Sequence, residues 1–436
     1  MIQVHRGVAR AGRFFLPSLL GILTVTCSGE HKPPGRSFEA GVGPPAPSTE
    51  PVIRVGVTVG DSLLPLSGTG RWAITEEGRP RPIAVVDGGP AWAVVRLPFE
   101  TVLRVRRPDG FLSEAHVGPL RAEPLGPGAL ALNGSLYAGD LEFQLRPDGT
   151  LTAVNVLPLE GYVEGVVASE LGRPGPAAWE AQRAQAVAAR TYALKRLGSR
   201  SGLGFDVYGS MLDQAYAGLP DPADSMAVRA VRSTRGETLL YRGYLIDAYY
   251  HSTCGGSTAR VELVFDDPPA PYLVPVSDKR SDGGYWCQES RYFRWTISYT
   301  AEELQATLER NLPGLVPLPV VGVGTVLDVQ IVGFTPEGRA LAVQVITSTG
   351  RYPVRKNEIR KLFADADGRL LRSTRFLLRP TYRGAVLDGL SLVGGGWGHG
   401  VGMCQVGALA RAAAGQGYRK ILSTYYPGTE VVPLYP

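Results

Sequence analysis

From Val52 onward the chain alternates between apolar and polar positions. VIRVGVTVG is β-branched and changes character at nearly every step. WAITEEG, IAVVDGG, AWAVVRLP, TVLRVRRPDG, SLYAGDLEFQLRPDG and LTAVNVLP follow at short spacing, separated by Gly, Pro and Asp-Gly steps. Residues 52–157 are therefore predicted to be all-β, with several hairpins. No catalytic triad, metal-ligand spacing or phosphate loop falls within them, which suits a scaffold or a small binding module.

At Pro158 the period becomes helical. Proline is tolerated in a first helical turn, where its missing N–H costs nothing. Leu159, Val163, Val166, Val167 and Glu170 then lie on one face, and Gly172 and Pro174 end the helix. Glu170 closes an otherwise apolar stripe at the negative end of the helix. Burial and the helix dipole both disfavour its charged form. A carboxyl group held protonated near neutrality suits general-acid catalysis; the bland alternative is a glutamate turned to water at a frayed end. A second helix opens after GRPGP. Gln182, Gln185, Ala189, Tyr192 and Arg196 share one face, and Trp179, Ala186, Ala193 and Leu197 another. Its alanines allow close packing. Gln185, Arg190 and Tyr192 carry hydrogen-bonding groups of the kind that hold sugars, unless they simply form a wet face.

Further on, 222–234 is predicted to be a short helix, and GETLLYRGYLIDAYYHST a hairpin turning at Arg-Gly. This runs into a polar, glycine-containing loop, His251 to Gly256, where backbone can approach a ligand. A helix at 301–311, an alternating hairpin at 325–354 and the short helix RKNEIRKLF follow, and then RSTRFLLRP returns to strand. Residues 394–400 are glycines interrupted by Trp397 and His399, and a helix follows at 403–414. Its N–H groups suit an anion or a carbonyl, but no Gly-Lys-Ser/Thr marks a phosphate loop.

Composition narrows the class. The 436 residues allow two or three domains' worth of core, and 44% hydrophobic with 19% charged residues indicates a globular protein. The 55 Gly and 35 Pro favour short strands and turns. A net charge of +5 without a dense basic block argues against nucleic acid, but suits an anionic polymer or an envelope surface. Residues 1–27 are predicted to be an export signal, with a basic start and a short apolar run ending at Cys27, a lipidation candidate. Lipidation there would be the sole membrane attachment. Residues 28–51 form a Pro/Gly-rich tether. Export leaves Cys254, Cys287 and Cys404 in an oxidising compartment. A Cys254–Cys287 disulfide is one reading; a zinc site of His251, Cys254 and Cys287 is another, with no fourth ligand visible. A Cys404 nucleophile with His399 as base is a weaker one.

Four segments in order, GVVASEL with WEAQRAQAVAARTYAL, QAYAGL, AYYHSTCGGSTA and GWGHGVGMCQVGA with YYPGT, resemble the stage II sporulation protein D and amidase-enhancer family. The resemblance implies an exported lytic transglycosylase that cleaves peptide-free glycan strands of peptidoglycan, with Glu170 as its catalytic acid. It implies no required cofactor, although some members bind zinc near the first site. Gln214, Tyr216, His251, Ser252, His399 and Gln405 join Gln185, Arg190 and Tyr192 as substrate-binding candidates. A cell-wall amidase is the alternative partner, for a glycan-binding protein without catalysis. The chain departs from the family's pattern at Cys254 and Cys404, where serine is usual, and at Leu171-Gly172, where Met-Pro is usual. The expected fold is α+β. A β-rich part at 52–157 precedes a catalytic domain at 158–436, in which the helical pair and the later loops close a saccharide cleft.

Overall fold

The computed structural model describes residues 49–89 and 91–436. The export signal, Cys27 and the tether up to residue 48 lie outside these residues. The fold is α+β, with its front half built of strands. A seven-stranded sheet runs in the order Val207–Tyr208, Val52–Asp61, Leu151–Pro158, Asp140–Leu145, Leu120–Pro124, Arg71–Glu76, Ala84–Asp87. A five-stranded sheet, Arg104–Arg106, Trp92–Val95, Leu63–Gly68, Leu130–Leu132, Ser135–Tyr137, accompanies it. The alternating residues Ile53, Val55, Leu64, Leu66, Leu141 and Phe143 point into their common core.

Helix α1 spans Leu159–Leu171 and α2 spans Trp179–Arg196. The first is held at its start by the end of the tether. The Leu159 N–H donates to Pro51 O (2.9 Å) and the Glu160 N–H to Glu50 Oε1 (2.8 Å). The last tether residues are thus part of the fold. In α1, Leu159, Val163, Val166 and Val167 are fully buried, each contributing roughly 1.5–3 kcal/mol.

Helix α2 has no wet face across its middle, contrary to one reading of its pattern. Ala186, Ala189 and Ala193 pack into the front core, whereas Ala181, Ala184, Val187 and Ala188 pack into a second. Helix α3 (Ser225–Arg232) lies against both α1 and α2. The strands Glu237–Tyr241 and Tyr244–Leu245 form the expected hairpin. Arg242 and Gly243 both have positive φ, at 51° and 82°, as a two-residue turn of this kind requires.

A third core gathers residues 295–392 around α4 (Ala301–Asn311) and the four-residue α5 (Ile359–Leu362). The hairpin expected at 325–354 is three strands, Val326–Ile331, Ala342–Thr347 and Gly350–Arg355. A strand absent from the sequence reading, Val386–Gly394, pairs with both Trp295–Thr300 and Phe376–Arg383. Helix α6 (Gln405–Ala413) packs on α2, as does α7 (Tyr418–Tyr425), which the sequence reading did not include.

Candidate active site

Glu170 sits at the last turn of α1, where Gly172 (φ 60°) closes the helix by donating to Ala168 O. A loop at 213–219 lies along this end. The Ala215 N–H donates to Glu170 Oε1 (2.8 Å) and the Ala217 N–H to Ser169 Oγ (3.3 Å). Gly165 allows that approach: a Cβ there would lie 2.4 Å from Gly218 O and 2.5 Å from the Tyr216 ring. From the other side, Tyr250–His251 pairs in parallel with Met403–Cys404. That pairing needs Gly402, whose Cβ would fall 1.9 Å from Tyr249 O. Gln405, the first residue of α6, then donates from Nε2 to Glu170 Oε2 at 3.0 Å. The Tyr250 hydroxyl reaches Glu170 Oε1 at 3.5 Å and accepts from Gln214 Nε2 at 2.8 Å, while Gln214 Oε1 accepts from Tyr162 OH.

Burial raises the Glu170 carboxyl above the usual carboxylate range; the Ala215, Gln405 and Tyr250 donors pull the other way. Burial thus shifts the group toward the acid, and the three donors, which favour the carboxylate, offset part of that shift. Burial also keeps the Tyr250 phenol protonated, and the Glu170 charge adds to this. His399 Nε2 lies 2.8 Å from Tyr250 O, and its Nδ1 accepts from the Val401 N–H (3.1 Å). These partners assign the proton to Nε2. Burial, with Arg360 nearby, lowers its pKa to about 3, so His399 is a neutral clamp on the Tyr250 backbone.

The structure thus brings together Glu170, Gln214 and Gln405. It places other expected cleft residues in the interior. Arg190 is fully buried and forks onto Glu160, Nε to Oε1 at 2.8 Å and Nη2 to Oε2 at 2.7 Å. Gln185 is fully buried, and neither of its amide atoms has a hydrogen-bond partner. The Tyr192 hydroxyl donates to Asp213 Oδ1 (2.8 Å), with the Arg196 guanidinium over its ring, and Tyr216 OH donates to Asn155 Oδ1 (2.7 Å). His251 is buried with Nδ1 near Val401 O (3.1 Å). Side chains alternate along a strand, so with Tyr250 facing Glu170, His251 faces away. Ser252 Oγ meets Thr253 Oγ1 (3.3 Å), and Ser252 O takes the Val406 N–H (3.0 Å). The first N–H groups of α6 are thus partly used internally, Gly407 N–H donating to Cys404 Sγ (3.4 Å).

Tyr250 and the Ala215 N–H are missing from the sequence-derived set. Tyr250 stands in AYYHST beside the more conspicuous histidine, and a backbone donor leaves no trace in residue identity. The cysteine reading also changes. Cys254 and Cys287 sulfurs are 3.5 Å apart and not bonded. Cys404 and Asp278 join them, and His251 is not in the group. Cys404 Sγ meets Ser252 O and the Cys254 and Gly407 N–H groups, and both His399 ring nitrogens meet backbone partners, so the Cys404–His399 pairing is not formed. A groove of about 580 Å³, lined by Arg79, Arg81, Trp92, Arg107, Phe111 and other residues of the front sheets, contains none of the site residues.

These features define a class: an α+β protein with one partly buried carboxyl acid at a helix end, braced by amide, phenol and backbone donors. Residues 147–241 match the family described as Stage II sporulation protein, and 281–402 match a domain of unknown function, DUF8618. The chain is 31% identical over 293 residues to stage II sporulation protein D of Bacillus subtilis, covering 64% of this chain and 76% of that protein. It is 32% identical over 302 residues to an uncharacterized protein of Brachyspira hyodysenteriae, covering 69% and 73%. Identity to the Bacillus subtilis amidase enhancer is 29% over 339 residues, 69% of this chain but 44% of that longer protein. The chain belongs to the stage II sporulation protein D family. No helix among the described residues is long and apolar enough to cross a membrane.

Proposed function

We propose that this protein is a lytic transglycosylase of the cell envelope, acting on peptidoglycan strands freed of stem peptides, with Glu170 as its only acid/base. The observation that carries this is the Glu170 environment. Burial favours the protonated acid, while three donors stand ready for the carboxylate. Glycoside hydrolysis normally uses two carboxylates. The contacts of Glu170 are to an amide side chain, a phenol and a backbone N–H, none of them a second carboxylate.

A transglycosylase needs one. Protonated Glu170 gives its proton to the glycosidic oxygen as the bond from the muramyl anomeric carbon breaks. The 6-hydroxyl of the same sugar forms the new bond to that carbon, and its proton returns to Glu170. The product is a 1,6-anhydro end, no water is consumed and the acid is regenerated. Incubation with peptide-stripped glycan, followed by mass spectrometry, should show anhydro-muramyl ends with wild type and none with Glu170→Gln.

Similarity to a protein named amidase enhancer supports a second reading, a glycan-binding protein that stimulates a cell-wall amidase. Glycan binding by wild type without anhydro product, unchanged by Glu170→Gln, would favour it.

A further inference from the structure

We propose that Cys254, Asp278, Cys287 and Cys404 form a structural zinc site that pins the start of α6, which carries Gln405. All four are buried, and their donor atoms lie within 4.8 Å of one another. Two thiolates on a tetrahedral zinc at about 2.3 Å each are about 3.8 Å apart, and a thiolate and a carboxylate oxygen about 3.5–3.7 Å apart. Here Cys254 Sγ is 3.5 Å from Cys287 Sγ and 3.5 Å from Asp278 Oδ2. Three sulfurs with one carboxylate, spaced for a single ion, match zinc among the common divalent metals.

The surroundings are those of a thiolate cluster. Backbone N–H groups point at the sulfurs: Cys254 N–H at Cys404 Sγ (3.2 Å), Gly256 N–H at Cys254 Sγ (3.3 Å) and Gly407 N–H at Cys404 Sγ (3.4 Å). Asp278 Oδ1 is oriented by Tyr425 OH (2.8 Å) and Arg411 Nη2 (3.3 Å), leaving Oδ2 toward the sulfurs. Such outer partners fix a metal ligand's direction. Arg339 is fully buried beside the cluster, its Nη2 on Cys254 O (3.1 Å), with Nε and Nη1 unpartnered. No carboxylate pairs with it among the described residues. Zinc with three thiolates and a carboxylate has a net charge of −2, which offsets this cation and Arg411. A Cys254–Cys287 disulfide would take two of these negative charges away from the buried arginine.

The site joins three separate segments of the chain, and Cys404 directly precedes Gln405, the donor to Glu170. Zinc would thus fix the active-site geometry without touching substrate. The full chain, purified without added metal, should carry one zinc per chain by elemental analysis. Cobalt exchange should give the sulfur-to-metal charge-transfer and visible bands of a tetrahedral thiolate site. Cys287→Ser should lower bound zinc from one per chain to near none, and Asp278→Asn should weaken retention during chelator dialysis. Metal-free wild type with Cys254, Cys287 and Cys404 all free thiols, or a Cys254–Cys287 disulfide, on peptide mapping would overturn the proposal. Wild type decides the matter even where a cysteine variant fails to fold, and none of these readouts depends on transglycosylase activity.

Discussion

Gln405 and Glu170 are 235 residues apart in sequence, yet the Gln405 amide donates to the Glu170 carboxyl at 3.0 Å. The bond ties the start of α6 to the end of α1. Gln405→Ala removes a donor that favours the carboxylate, so Glu170 should become harder to deprotonate. Anhydro-product formation should slow, and its alkaline limb should move to higher pH. An unchanged rate and profile in a pH series would show that Gln405 does not position Glu170.

Glu170 itself sets a pH dependence with a definite sign. Burial raises its folded pKa above the unfolded value. Its stabilising contribution is present below the unfolded pKa, about 4.3, and is lost as pH rises through the folded value. Glu170→Gln escapes that loss, and the Gln405 amide can flip to face the new amide. The variant should lose all anhydro product yet melt above wild type at neutral pH. Equal or lower melting temperature for the variant at pH 7 would contradict the buried-acid description.

Much of this site is legible from residue order. The apolar stripe of α1 and its glycine stop locate Glu170, because helix period and helix ending are local properties. Helix α2 misleads for a physical reason. Amphipathic reading assumes one wet face, but α2 lies between two cores, so Gln185, Arg190 and Tyr192 resemble surface groups while lying inside. The thiol cluster is hidden differently. Asp278 lies 24 residues from Cys254, and Cys404 lies 150 from it, distances that no local motif spans.

The Arg190–Glu160 pair should be structural. Burial alone would raise the Glu160 carboxyl, but Arg190, Tyr435 OH and the Gly236 N–H together hold it below the usual range. Arg190→Ala leaves that carboxylate buried without its cation and should destabilise the fold by about 3–5 kcal/mol, measured by denaturant unfolding. Because the Glu160 pKa is depressed, its contribution is present above the unfolded value and lost as pH falls through the folded one. Wild type should therefore lose stability in acid more steeply than a Glu160→Gln/Arg190→Met double variant. Similar acid sensitivity in both would place the titrating group elsewhere.

Gly165→Ala tests whether the 213–219 loop must lie against α1. In an open helix this change would stabilise by about 0.5–1 kcal/mol. At Gly165 the new Cβ would meet Gly218 O at 2.4 Å and the Tyr216 ring at 2.5 Å. A backbone oxygen cannot yield as a flexible side chain can, so overpacking should win, costing about 1–3 kcal/mol. The loop would shift, weakening the Ala215 N–H bond to Glu170. That removes a donor to the carboxylate, so activity should fall and its alkaline limb should rise. Gly161→Ala, one turn earlier in α1, is the control: its Cβ meets only Leu157 Cδ1, at an ordinary 3.6 Å. It should leave activity intact and raise stability slightly. If the two variants unfold alike and retain equal activity, close docking of the loop is not what holds Glu170 in place.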